Sequence, residues 1–193
     1  MISGVPIHIW PSPIPNPLVS SGPQPQAILL EIPDTPRSAA GRAKTRGILN
    51  TLLEHWTGTT ALLIETPTGP ALDRPVGENS VSISITYCGS TAWIGLCSGG
   101  TIGIDAVSCA PFPELLEVAS LYLTEQDTAQ IRHSKNPGRT FAEAWARYEA
   151  TVKCHQLPIN ETQQAPESDV LFHESPDWIL CVAFPKNTNA RLL

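Results

Sequence analysis

The segment "TFAEAWARYEATVKCHQ", residues 140–156, constrains the fold of this chain most, because Ala, Glu, Lys and Arg at this density favour a helix. Residues four apart on a helix share a face. Glu149 therefore lies in one row with Trp145 and Lys153, while Phe141 and Trp145 are expected to turn toward a core. A Glu–Lys pair at this spacing is, taken alone, a surface ion pair worth a few tenths of a kcal/mol. A second segment changes its meaning. In "TIGIDAVSCA", residues 101–110, the single carboxylate of Asp105 follows Ile102 and Ile104, where a buried strand should be ending.

Helices and strands interleave around these two segments. "AILLEI" reads as a strand, "SAAGRAKTRGILNTLLEHW" as a helix with Ile48, Leu49, Leu52, Leu53 and Trp56 inward and Arg42, Lys44 and Arg46 as a basic face. "TALLIE", "VSISITY", "TAWIGLC" and "TIGIDAV" follow as strands, with "TPTGPALDRPVGENS" as punctuation and "VSISITY" alternating as a half-buried strand should. "CAPFPELLEVASLYLTEQDTAQIRH" indicates a helix, with "TEQD" as the N-cap signal of a further one, and "SKNPGR" reads as a loop. "VLFHES" and "DWILCVAF" close the chain as strands. Each half, residues 1–100 and 101–193, thus reads as helices followed by strands, which permits two similar α+β lobes as well as one large α+β domain. Prolines at 6, 11, 13, 15, 17, 23 and 25 make residues 11–25, after a possible short strand in "GVPIHIW", an extended leader draped on the surface or solvated.

Composition excludes several functions. A formal net charge of -6 with only 12 Lys and Arg argues against nucleic-acid binding. No run approaches the length of a membrane helix, and the start of the sequence lacks the pattern of an export signal. Five cysteines, with neither CxxC nor zinc-like spacing, fit free thiols in a reducing compartment, so a cytoplasmic protein is expected. The five histidines offer no pair at i, i+4 for zinc, and "CSGGTIG" precedes a strand rather than a helix, so it is no phosphate loop. Two carboxylates converging from different elements, Asp105 and Glu149, instead suit Mg²⁺, which takes its remaining ligands from water and substrate phosphates. Lys153 would then meet phosphate oxygens.

The pair "IGIDAV" and "FAEAWARYEATVKC" resembles the signature of the surfactin-type 4'-phosphopantetheinyl transferases, approximately (I/V)-G-(I/V)-D-x-E and F-x-x-x-W-x-x-K-E-A-x-x-K. "ALDRP" is similar to the family's G-(K/R)-P element, "SITYCG" stands where N-(I/L)-S-H-S-G is usual, "PRSAAGRAKTRGIL" resembles its Arg-rich early helix, and "EVASLYLTEQD" its helix ending in F-x-x-x-E. The resemblance implies two pseudo-twofold-related α+β lobes with coenzyme A in the cleft between them. It implies transfer of 4'-phosphopantetheine from coenzyme A to a serine of an acyl or peptidyl carrier protein, with release of 3',5'-ADP, as a holo-[acyl-carrier-protein] synthase in fatty acid, polyketide or nonribosomal peptide biosynthesis. Carried over by position, Asp105 and Glu149 would hold Mg²⁺. Glu149 and Lys153 would be catalytic. Arg37, Arg42, Arg74 and Tyr87 would bind coenzyme A. A monomer is expected, with no nucleic acid or membrane among its partners.

Three positions depart from the pattern: Val107 replaces the second acid, Tyr87 the histidine of S-H-S, and Tyr148 the lysine before the acid, although Arg147 is adjacent. These losses leave open a catalytically weak paralogue that binds carrier protein or coenzyme A without transfer, and an unrelated α+β interaction protein is a third reading. Phe141 and Trp145 read as core anchors rather than adenine stackers.

Overall fold

The computed structural model describes residues 6–17, 24–58, 63–67, 69–73, 81–161, 165–186, 188 and 190–193. In chain order its elements are β1 (His8–Ile9), β2 (Gln26–Ile32), α1 (Ala39–Thr57), β3 (Leu63–Thr66), β4 (Gly69–Leu72), β5 (Val81–Cys88), β6 (Thr91–Ser98) and β7 (Gly103–Ser108), then α2 (Leu115–Tyr122), α3 (Glu125–His133), α4 (Pro137–Cys154), β8 (Ser168–Glu174), β9 (Trp178–Pro185) and β10 (Arg191–Leu192). The fold is mixed α+β. One sheet runs β1-β2-β6-β5 with β10 also on β2, a second runs β7-β9-β8, and β3 and β4 form a separate hairpin. In both larger sheets the last long strand is central, flanked by the first and by its own hairpin partner: β2-β6-β5 and β7-β9-β8 are the same antiparallel arrangement.

Period-two alternation divides the core into layers. Ile28, Leu30 and Ile32 of β2 turn to Ile48, Leu49, Leu52 and Leu53 of α1. Ala27 and Leu29 turn the other way, with Trp93 and Cys97, to meet Ile104 and Ala106 of β7 and Leu180, Val182 and Phe184 of β9. The outer face of β9, Ile179, Cys181 and Ala183, is covered by the stripe Ala142, Ala146, Ala150 and Cys154 of α4. The order is therefore α1, first sheet, second sheet, α4. Small residues on α4 let it lie close to the second sheet, and the long helical residues are displaced to its flanks.

The structure refines the sequence expectations at its irregular points. The long helical stretch breaks at Leu123, where Thr124 caps α3 by accepting the Asp127 amide, as "TEQD" suggested. The loop before α4 is shorter than expected, because Asn136 caps the helix and Pro137 begins it, where a missing N–H costs nothing. "TPTGPAL" is not mere punctuation, since residues 69–72 pair with 63–66. Residues 59–62 and 74–80 lie outside the described residues. Within the described part of the leader Ile14 packs on the α1 side of the core, beside Trp10 of the preceding segment, which donates its amide to the Glu31 carbonyl at 2.9 Å. No helix among the described residues is long and apolar enough to cross a membrane.

The strand "VSISITY" differs most from its reading. Its hydroxyl face is buried, with Ser84 and Thr86 only 4% and 5% exposed. β7 is an edge strand, and the amides of Ile102, Ile104 and Ala106 donate to the side-chain oxygens of Ser82, Ser84 and Thr86 at 3.2, 3.0 and 3.2 Å. A ladder of hydroxyls joins the two sheets where a backbone ladder would otherwise run.

Candidate active site

Asp105 and Val107 share one face of β7, as residues two apart on a strand must, and that face is turned toward α4. Gly103 brings the two elements together, because α4 crosses it where a Cβ would overlap the Ala150 carbonyl and the Cys154 amide nitrogen. Gly138 does the same at the other end of α4, beneath the Cys109 carbonyl. The helix is seated at both ends against the strand carrying the acid.

The row at 141, 145, 149 and 153 then runs along one wall of a pocket of about 900 Å³. Lys153 Nζ donates to Asp105 Oδ1 at 2.6 Å and to Glu149 Oε2 at 3.0 Å, and reaches the Ile104 carbonyl at 3.3 Å. Asp105 Oδ1 also accepts the Thr86 hydroxyl at 2.8 Å, and Glu149 Oε1 accepts the Trp145 indole N–H at 2.9 Å. One ammonium thus sits between two carboxylates, each oriented by a neutral donor.

The electrostatics follow from burial. The Asp105 side chain is 7% exposed, and burial pushes its carboxyl up to about 6 against the opposing pull of Lys153. Burial alone would lower the Lys153 pKa, but Asp105 and Glu149 outweigh it and raise it. With all three groups ionised, one negative charge is left uncompensated. Two hard oxygen anions with a net negative charge fit a cation such as Mg²⁺. Among the described residues no cluster of three His, Cys, Asp or Glu accompanies them.

Of the other expected site residues, Arg37, Arg42 and Tyr87 line the same pocket, whereas Arg74 lies outside the described residues. Arg37 and Arg42 are exposed and have no ion-pair partner among the described residues. The basic face of α1 is divided in use: Lys44 turns to the Pro33 and Asp34 carbonyls, and Arg46 pairs with Glu65 at the pocket wall. Arg147 cannot stand in for the lysine missing at 148, because it pairs with Asp127 at 2.6 Å on the far side of α4, where the Tyr148 hydroxyl donates to the Asn160 carbonyl.

Two participants were not anticipated. Thr86 was hidden within an alternation that reads as a solvated face, and the only clue to it was the repeat of hydroxyls at 82, 84 and 86. Trp145 is an anchor, stacked on Phe141 with ring centroids 5.5 Å apart, but its indole N–H is also what holds Glu149.

Residues 101–188, which carry Asp105, Glu149 and Lys153, match the family model of the 4'-phosphopantetheinyl transferase superfamily. No curated protein matches the chain.

Proposed function

We propose that this protein transfers the 4'-phosphopantetheine group of coenzyme A to a serine of an acyl or peptidyl carrier protein, releasing 3',5'-ADP. The observation that carries the reading is the meeting of Asp105, Glu149 and Lys153, all within the matched stretch, in a pocket that also presents Arg37 and Arg42. A polyphosphate ligand needs this distribution of charge: guanidinium groups that grip phosphate oxygens at the rim, and acids that recruit a cation deeper in.

Asp105 and Glu149 would hold Mg²⁺, which on binding neutralises pyrophosphate charge. Arg37, Arg42 and the Tyr87 hydroxyl bind the phosphates of coenzyme A and orient its β-phosphorus. Arg74 is proposed for the same task. The serine oxygen forms its bond to that phosphorus as Glu149 takes the hydroxyl proton, and the bond from phosphorus to the bridging oxygen breaks. Lys153 stabilises or protonates the departing 3',5'-ADP.

The repeated strand order β2-β6-β5 and β7-β9-β8 supports a surfactin-type arrangement of two lobes, 1–100 and 101–193, with the pocket as their cleft. Five free cysteines support a reducing, cytoplasmic setting, and the protein is taken to act as a monomer. Incubation with apo carrier protein, coenzyme A and Mg²⁺ tests the reading. The pantetheine mass increment on the carrier is expected; coenzyme A binding without it would instead mark a catalytically weak paralogue.

A further inference from the structure

We infer that Thr86 is a positioning residue for the metal-binding carboxylate, fixing which oxygen of Asp105 is offered to a cation; this rests on the functional reading above. Its hydroxyl oxygen accepts the Ala106 amide at 3.2 Å, which commits one lone pair and aims the hydroxyl proton, and that proton is donated to Asp105 Oδ1 at 2.8 Å. Lys153 donates to the same oxygen. With both donors on Oδ1, Asp105 Oδ2 has no hydrogen-bond partner among the described residues and is the oxygen left for a cation.

The three hydroxyls of β5 are not equivalent. Ser84 and Thr86 each accept a β7 amide and Ser82 that of Ile102 just before β7, so each contributes to joining the sheets, but Thr86 alone among them also bonds an acid. Ser84 is therefore an internal control: it has the same structural task one rung away and no contact with the site. A hydroxyl that orients a ligating carboxylate changes metal affinity about 10- to 100-fold when removed. A hydroxyl that only joins sheets changes stability alone.

The test compares Thr86→Val, Thr86→Ser and Ser84→Ala with the unaltered protein, reading Mn²⁺ binding by electron paramagnetic resonance without coenzyme A, and thermal unfolding in parallel. Thr86→Val is expected to weaken Mn²⁺ binding at least about tenfold, Thr86→Ser to restore it to within about threefold, and Ser84→Ala to lower the melting temperature with Mn²⁺ binding unchanged. Thr86→Ala replaces the valine variant if that does not fold. Unchanged Mn²⁺ binding in a folded Thr86→Val or Thr86→Ala protein, or equal weakening by Ser84→Ala, overturns the role of Thr86 alone, provided the unaltered protein binds Mn²⁺ and transfers. If the unaltered protein does neither, the functional reading fails and takes this inference with it.

Discussion

Gly103 lies so close beneath Ala150 that a Cβ on the glycine would overlap the alanine's carbonyl oxygen. The clash is with backbone, which cannot rotate away as a side chain can. Gly103→Ala should therefore push α4 off β7, destabilising the fold by about 3 kcal/mol and separating Lys153 from Asp105. Chemical denaturation reads the first effect and a transfer assay at a permissive temperature the second. An alanine variant with unaltered stability would mean that α4 is not seated on this glycine.

Lys153→Ala should slow turnover about 100-fold while changing the apparent KM for coenzyme A much less, because charge on the leaving phosphate grows only as the bond breaks. Steady-state kinetics separate the two. An effect confined to KM would assign Lys153 to substrate holding.

Why some of this could be read from residues and some could not is visible in particular elements. α4 was readable because Ala, Glu, Lys and Arg at this density favour a helix and because Trp145, Glu149 and Lys153 recur on it at the helical period; that Ala142, Ala146, Ala150 and Cys154 form the face packed on β9 emerged only from the fold. Asp105 was readable because an acid after "IGI" has no reason to be on a buried strand without a partner. The sheet junction was not readable. Ser82, Ser84 and Thr86 satisfy the amides of Ile102, Ile104 and Ala106 some twenty residues away, and nothing local distinguishes a hydroxyl facing a buried edge from one facing water. The destinations of Lys44, Arg46 and Arg147 were equally hidden, since an ion pair depends on which distant residue the fold brings opposite. Pro and Gly in residues 67–72 read as punctuation, which hid the short strand that residues 69–72 form.

Arg42→Ala should act oppositely to Lys153→Ala, raising the apparent KM for coenzyme A about tenfold with kcat little changed. A phosphate clamp at the pocket rim holds ground state and transition state alike, and one charged hydrogen bond is worth about 1.5 kcal/mol. Unchanged KM would remove Arg42 from the coenzyme A site.

Val107→Glu should lower the Mg²⁺ concentration for half-maximal transfer severalfold. Val107 shares the Asp105 face of β7 and lines the same pocket, so a carboxylate there adds an anionic ligand where water would otherwise serve. Mg²⁺ titration at saturating coenzyme A, with a melting curve to establish folding, reads the change. A midpoint that stays or rises in a folded variant would show that Val107 does not border the metal.

The most direct measurement is the mass of an apo carrier protein after incubation with coenzyme A and Mg²⁺, using the unaltered protein and a Glu149→Gln variant shown by circular dichroism to be folded. The substitution preserves shape and the Trp145 contact while removing the charge and the base. The account predicts one pantetheine increment on the carrier serine with the unaltered protein and none with Glu149→Gln. No increment with the unaltered protein, or equal increments with both, would contradict it.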